Sequence, residues 1–507
     1  AGSDTITYFG GTGAGVTVNL ATNAVSGGTA ASDTIESIEN VGGTDAFGDT
    51  LSGTSGGNSL WGHGGNDYLY GADGSDRLFG GDGSDRMYGG GDVDIMEGND
   101  GTDTLYGGDD NDHVFGSAGS DRVYGDNGHD FLYGGEGSDR LYAGNGNDRL
   151  YGGFGFNDRD YLYDGDGNDT VYGHEGDDYI YAGVGGTDSY FGGDGVDMLD
   201  YSDMASSVTV NLQTNSVNGA AAGDTIGEFE NLRGSDVGSD SLYGTTGANL
   251  IYGYGGVDHL YGGDGDDTLY GGDGNDRLFG GDDDDRLYGA DGTDLLHDGA
   301  GDDSVYAGDG SDFVYAGLGG TDTYYGGTGN DMLDYSDAAT GVVVDLAANS
   351  TGGAASGDVI SAFENARGSD VGDDSLYGTS GVNALYGYGG DDYLRGGAGA
   401  DFVYGGSGTD WTSYTDSAAG VSVDLETGSV SGGDAAGDTL NSIENVDGSD
   451  HTDTLTGSTG NNTLHGNGGN DAIYGGDGDD VLDGGDDNDT LYGGDGNDKM
   501  IAGDGSY

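Results

Sequence analysis

Aspartate returns at every ninth residue of this chain, without a slip, from Asp67 through Asp76, Asp85, Asp94, Asp103, Asp112, Asp121, Asp130 and Asp139 to Asp148. So short and regular a period rules out one ordinary globular core and marks a repeat architecture, in which each unit packs on its neighbours. The same spacing runs from Asp258 through Asp267, Asp276, Asp285, Asp294 and Asp303 to Asp312, from Asp392 through Asp401 to Asp410, and from Asp471 through Asp480 and Asp489 to Asp498. Shorter stretches carry it at Asp160, Asp169 and Asp178, around Asp188 and Asp197, and around Asp322 and Asp331.

The unit reads Gly-Gly-x-Gly-x-Asp-x-U-x with U aliphatic, as in Gly271, Gly272, Asp273, Gly274, Asn275, Asp276, Arg277, Leu278 and Phe279. Glycine allows positive φ and close backbone approach, so the first six positions read as a tight turn with inward carbonyls. The last three read as a short strand whose middle residue, such as Leu69, Leu78, Met87 or Leu105, faces a thin core. Two units make a coil of about eighteen residues, and successive coils stack at the roughly 4.8 Å of paired strands. Asp67 then lies beneath Asp85, and Asp76 beneath Asp94.

Carboxylates stacked at that distance repel by about 3 kcal/mol per pair at an effective dielectric near 20. Composition makes this the governing problem: 94 acidic residues face 12 basic ones, the net charge is -82, and only 33% of residues are hydrophobic. Bare, such a chain is expected to be disordered. Carboxylates and turn carbonyls are hard oxygen ligands suited to Ca²⁺. About thirty such ions would bring the net charge to roughly -20. The same charge excludes nucleic acid as a partner. No apolar run is long enough to span a bilayer as a helix, no signal peptide is visible, and the absence of Cys leaves the compartment unread.

This nonapeptide resembles the repeats of the RTX, or repeats-in-toxin, family over most of the chain. The resemblance implies an all-β fold, a parallel β-roll solenoid, with Ca²⁺ bound by the aspartates named above at roughly one ion per stacked pair of turns. In that family the ion takes carbonyls at positions two and four plus the Asp of one turn, and carbonyls at one and three plus the Asp of the next coil. Matched onto this chain, one site uses His63, Gly65, Asp67, Gly80, Asp82 and Asp85. Asp92 and Asp110 at position four, and Asn99 and Ser117 at position two, are expected to weaken or distort their sites. The resemblance also implies type I secretion of an unfolded chain that folds in extracellular calcium.

A second element appears four times, as Val16-x-Val18-x-Leu20, Val208-x-Val210-x-Leu212, Val342-x-Val344-x-Leu346 and Val421-x-Val423-x-Leu425, each followed by a segment such as Phe229-Glu230-Asn231-Leu232. The alternation predicts a strand. Spacers over 1–48, 199–239, 333–373 and 412–452 would then alternate with calcium rolls over 49–198, 240–332, 374–411 and 453–507. As in RTX adhesins, the spacers are expected to continue the solenoid with wider coils, giving one rod of roughly 130 Å at 4.8 Å per coil.

Aromatics fill the last position of the unit, as at Tyr70, Tyr88, Tyr106, Tyr124 and Tyr142, and must face outward if the aliphatics face in. The plain reading is a stack that shields each sheet, with Arg77, Arg86, Arg122, Arg140, Arg149, Arg277 and Arg286 interleaved. The functional reading is a surface for self-association or for sugar rings. Nothing reads as an enzyme: no His-Glu-x-x-His occurs, and Gly53-Thr54-Ser55-Gly56-Gly57, which matches a nucleophile elbow in form, is the turn before Asn58. The expectation is a secreted, calcium-binding structural protein of a filament, surface layer or adhesin stalk. The alternatives are the calcium-binding region of a secreted hydrolase or epimerase, and a glycan-binding surface.

Overall fold

A computed structural model describes residues 2–10, 13–317 and 319–503. Its chain divides into two compact units, Ala1–Gly256 and Val257–Tyr507, built on one plan. Among the described residues no helix is long and apolar enough to cross a membrane.

In the first unit successive strands alternate between two parallel stacks. Ser59–Gly64, Arg77–Gly83, Ile95–Gly101 and His113–Gly119 follow one another on one side. Tyr68–Asp73, Arg86–Gly91, Thr104–Asp109 and Arg122–Asn127 do so on the other. The register is the expected one: Leu69 pairs with Met87 and Leu78 with Met96. The second unit repeats the arrangement, with Leu278 against Leu296 on one side and Leu287 against Val305 on the other. The inward aliphatic is fully buried in every one of these layers, so the core is a file of single side chains from each stack. Aliphatics at that position exclude water from a space too narrow for a second row.

The strands run further than three residues. Pairing persists into the turn, with Ala72 opposite Gly90 and Asp73 opposite Gly91, because the turns stack as regularly as the strands and can share their ladder. Stacked turns leave no room for side chains at some positions. Gly101 has φ +147°, and a Cβ there would lie 1.4 Å from the carbonyl oxygen of Gly83 in the layer below. Gly101→Ala therefore forces both a left-handed L-residue and a backbone clash. We expect it to cost about 3 kcal/mol or more, measured by denaturant unfolding in saturating calcium.

The spacers continue the solenoid with the expected wider coils, Thr225–Gly227 pairing in parallel with Ser189–Asp194 and Asn231–Arg233 with Met198–Asp200, and each adds a hairpin that was not expected. Val16–Asn19 pairs in parallel with Thr50–Ser52 of the roll, but on its other side it forms an antiparallel hairpin with Ala24–Gly27. The other three spacers repeat it: Val208–Asn211 with Ser216–Gly219, Val342–Asp345 with Ser350–Gly353, and Ser422–Asp424 with Ser429–Ser431. A side-chain oxygen closes each loop: Asn19 Oδ1 accepts the Thr22 N–H at 2.9 Å, and Asn211, Asp345 and Asp424 likewise accept the N–H three residues on.

Outward tyrosines stack along the first unit. Tyr70, Tyr88, Tyr106, Tyr124, Tyr142, Tyr163 and Tyr181 follow one another at 4.2–5.1 Å between ring centroids, within 9° of parallel. The spacing is that of the strands which carry them, so the rings cover the ladder beneath. Of the arginines expected among them, Arg86 and Arg140 lie over Tyr68 and Tyr161. Two spacer arginines do the same: Arg233 lies over Tyr179, Tyr252 and Tyr254, and Arg367 over Tyr388.

Candidate metal centre

Each turn turns its aspartate inward, and the neighbouring coil uses it. The Asp67 N–H donates to Asp85 Oδ1 at 2.7 Å, Asp76 to Asp94 at 2.7 Å, Asp85 to Asp103 at 2.7 Å and Asp94 to Asp112 at 2.8 Å. The chain of bonds continues through Asp121, Asp130, Asp139 and Asp148. Longer coils keep it going, so that Asp139 and Asp148 donate to Asp160 and Asp169, and those to Asp178 and Asp188. In the second unit Asp258, Asp267, Asp276, Asp285, Asp294, Asp303 and Asp312 donate in the same way to the layers above, up to Asp322 and Asp331. Asp392 donates to Asp410, Asp471 to Asp489 and Asp480 to Asp498, while Asp401 accepts from Asn383. All of these aspartates are buried except Asp489 and Asp498, which are half-buried.

One oxygen of each carboxylate is thus taken up by the backbone. The other is left over: Oδ2 is buried without a hydrogen-bond partner in Asp67, Asp76, Asp85, Asp94, Asp103, Asp112, Asp121, Asp130, Asp139 and Asp148, and in Asp169, Asp178 and Asp197. In the second unit the same holds for Asp276, Asp285, Asp294, Asp312, Asp331, Asp392, Asp401, Asp410, Asp471, Asp480 and Asp489. An isolated orphan of this kind is costly, and a whole file of them calls for a partner of another kind.

Carbonyls face the same spaces. A Cβ placed on Gly62 would lie 2.2 Å from Asp67 Oδ2 and 2.5 Å from the Gly80 carbonyl oxygen, so these two oxygens border one small gap. Gly71 borders the same arrangement of Asp76 Oδ2 and Gly89 O, and Gly89 that of Asp94 Oδ2 and Gly107 O. His63 O and Gly65 O point up at Gly81 and Gly83, whose Cβ positions they would meet at 1.9 and 1.7 Å. Asp82 O accepts the Gly65 N–H at 2.8 Å and keeps one lone pair. His63, Asn99 and Ser117 take φ of 76°, 71° and 87° at position two, and Asp92 and Asp110 66° and 77° at position four, so these residues keep a positive φ in the turn, at smaller angles than glycines such as Gly81 (113°) and Gly101 (147°).

Electrostatics point the same way. Burial, with the stacked neighbours adding to it, pushes the Asp67 and Asp103 carboxyls up to about 7, Asp112 and Asp285 to about 8 and Asp139 to about 9. Four aspartates at the starts of the rolls provide an internal control. Asp49 accepts from the N–H groups of Val16 and Thr44, each at 2.6 Å, and from the Thr44 hydroxyl. Asp240, Asp374 and Asp453 are satisfied alike by Val208 and Ser235, by Val342 and Ser369, and by Val421 and Ser449. Nine residues on, Asn58, Asn249, Asn383 and Asn462 donate Nδ2 to the spacer carbonyls of Glu39, Glu230, Glu364 and Glu444. Where a spacer supplies donors the register side chain is complete, and where glycine turns flank it one oxygen stays open.

A family model described as RTX calcium-binding nonapeptide repeat (4 copies) matches residues 44–78, 70–105, 97–132, 124–158, 154–186, 235–269, 261–296, 288–320, 317–333, 377–411, 447–482 and 474–506, more than half of the chain. The chain belongs to the RTX calcium-binding repeat family. No curated protein matches it.

Two RTX layers carry an extra carboxylate that sequence reasoning passed over. Asp164 and Asp298 stand at position one, where glycine is usual. Asp164, Asp169 and Asp188 bring carboxylate oxygens within 4.8 Å of one another, as do Asp298, Asp303 and Asp322. Above each, a buried tyrosine takes the place of the inward aliphatic, and the hydroxyls of Tyr190 and Tyr324 donate to Asp164 Oδ2 at 2.5 Å and Asp298 Oδ2 at 2.6 Å. The signal was present as a double break in the pattern: an Asp for a Gly, and a Tyr for a Leu in the layer above.

Proposed function

We propose that this calcium-binding structural repeat protein is secreted, folds when it meets calcium outside the cell, and serves there as a component of a filament, surface layer or adhesin stalk. The observation that carries the reading is the file of buried Asp Oδ2 atoms without protein partners, most of them beside a carbonyl from the adjacent layer. Calcium, hard and tolerant of irregular oxygen cages, fits that donor set. When bound it supplies the positive charge that lets neighbouring carboxylates stay ionised at one spacing. The aspartates hold it, the glycine turns aim carbonyls at it, and the backbone N–H groups fix each carboxylate's orientation.

Folding outside the cell follows from the charge. A chain at -82 stays extended while calcium is scarce and becomes compact where calcium is plentiful. The role is mechanical rather than catalytic, since the buried acids are committed to stacking. The tyrosine stacks support assembly through their exposed edges, as with Tyr70, and with Tyr306 stacked on Tyr288 in the second unit. Negative-stain electron microscopy in millimolar calcium should show ordered assemblies that disperse in chelator. Particles that stay single at every protein concentration in calcium would remove the assembly role.

A further inference from the structure

At three places the nine-residue clock stops and a spacer takes over the stacking. The Asp197 N–H donates to Glu230 Oε2 at 2.9 Å, Asp331 to Glu364 Oε2 at 2.8 Å and Asp410 to Glu444 Oε2 at 2.9 Å. Inside a roll the same N–H donates to the aspartate of the next layer, eighteen residues on; here the acceptor is a glutamate 33 or 34 residues on. The carboxylate has changed residue type and chain distance, but it occupies the same station in the stack.

The backbone is imitated as well. A Cβ on Gly192 would meet Glu228 O at 2.0 Å and Asp197 Oδ2 at 2.5 Å. On Gly326 it would meet Ala362 O at 2.0 Å and Asp331 Oδ2 at 3.0 Å, and on Gly405 Ser442 O at 2.1 Å and Asp410 Oδ2 at 2.5 Å. This is the pairing of oxygens that Gly62 sees between Asp67 Oδ2 and Gly80 O within the roll. The residues that contribute these carbonyls, Glu228, Ala362 and Ser442, have φ of 60°, 55° and 53°, a left-handed backbone taken by three residues that are not glycine. The conformation belongs to the spacer fold, since Ser37 takes φ 56° at the same place in the first spacer, and the Glu228 carbonyl also accepts the Gly193 N–H at 3.3 Å; in the three later spacers it sets a carbonyl beside the aspartate's Oδ2.

The third observation is the open oxygen. Asp197, Asp331 and Asp410 are fully buried, and the Oδ2 of each has no hydrogen-bond partner. The spacer arginines do not supply one, since Arg233 pairs with Asp200, and Arg367 with Asp334 and Asp370. The first spacer makes the same contact from Asp4 to Glu39, but Asp4 is exposed, so water serves its carboxylate and no site is built there.

We propose that Asp197 with Glu230, Asp331 with Glu364, and Asp410 with Glu444 each hold one calcium ion, with the carbonyls of Glu228, Ala362 and Ser442 as further ligands. Each such ion ties the fold of one of these three spacers to the roll before it, so that the spacer forms only on a calcium-loaded layer. The inference rests on the reading of the register aspartates as calcium ligands and extends it to a residue type and a segment outside the nonapeptide.

The test uses the full chain. In Glu230→Gln, Glu364→Gln and Glu444→Gln the amide oxygen still accepts the backbone N–H, while the anionic ligand is gone. Calcium is counted by elemental analysis after gel filtration at a fixed free calcium concentration, with circular dichroism on the same samples. Each single variant should hold one ion fewer than the parent, the triple variant three fewer, and Glu39→Gln the full number. Should the triple variant fail to fold, the three single variants decide the matter. Parent and variants holding equal calcium would overturn the spacer sites and leave the rolls untouched. A parent that binds no calcium would overturn the underlying reading as well.

Discussion

Stripping calcium at pH 7.5 should abolish the far-UV β signal of the whole chain and expand it toward the roughly 80 Å radius of gyration of an unfolded polypeptide of this length. The reason is the scale of the electrostatic cost. Eight aspartate pairs stack between Asp67 and Asp148 alone. At about 3 kcal/mol each, their repulsion exceeds the roughly 5–15 kcal/mol that holds a domain together. A carboxylate that escapes repulsion by taking a proton at this pH does so against solution conditions that favour the ionised form. The thin core cannot offset either cost, because each unit contributes one inward side chain. Circular dichroism and small-angle scattering before and after chelation, followed by readdition of calcium, measure the loss and its reversal. A chain that keeps its β signal at full chelation contradicts the prediction.

Acid should partly replace the metal. The buried carboxyls have folded-state values raised to about 6 for Asp76, about 7 for Asp67 and Asp94, about 8 for Asp112 and about 9 for Asp139, above the ordinary aspartate value of the unfolded chain. The folded metal-free chain therefore binds more protons than the unfolded one. Its stability is greatest below the unfolded value near 4 and is lost as pH rises through the folded values, between about 6 and 9. Metal-free protein taken from pH 8 to pH 4 should regain β signal, while calcium affinity falls over the same range because protons compete for the oxygens. Metal-free protein that is less ordered at pH 4 than at pH 8 would reverse the sign and refute the burial of these groups.

Much of this was legible because a nine-residue period is a covalent fact. It places Asp67 under Asp85 and Leu69 under Met87 whatever the turn does in detail, so the two-unit coil, its register and its inward side chains follow from spacing. What was not legible lies where partners are distant or the pattern breaks. The spacer hairpin was marked by an Asn or Asp at the end of the first strand, and by Asn23, Asn215 and Asn349, which take positive φ. The Val-x-Val alternation by itself does not announce that turn. Glu230 stands in the stack of Asp197 through a contact 33 residues long, which no short period can announce. Asp164 and Tyr190 read singly as tolerated departures, and only their hydrogen bond shows them to be one feature. The positive-φ backbone of Asn99 and Asp92 likewise shows that a lost glycine need not mean a lost turn.

Diffraction from crystals grown in calcium, collected where calcium scatters anomalously, addresses the metal directly. The predicted map has a peak between the Oδ2 atoms of aspartates in successive layers, such as Asp67 and Asp85 or Asp276 and Asp294, and none at Asp49, Asp240, Asp374 or Asp453, whose oxygens the protein already fills. Well-ordered layers with no anomalous density between those aspartates would contradict the account.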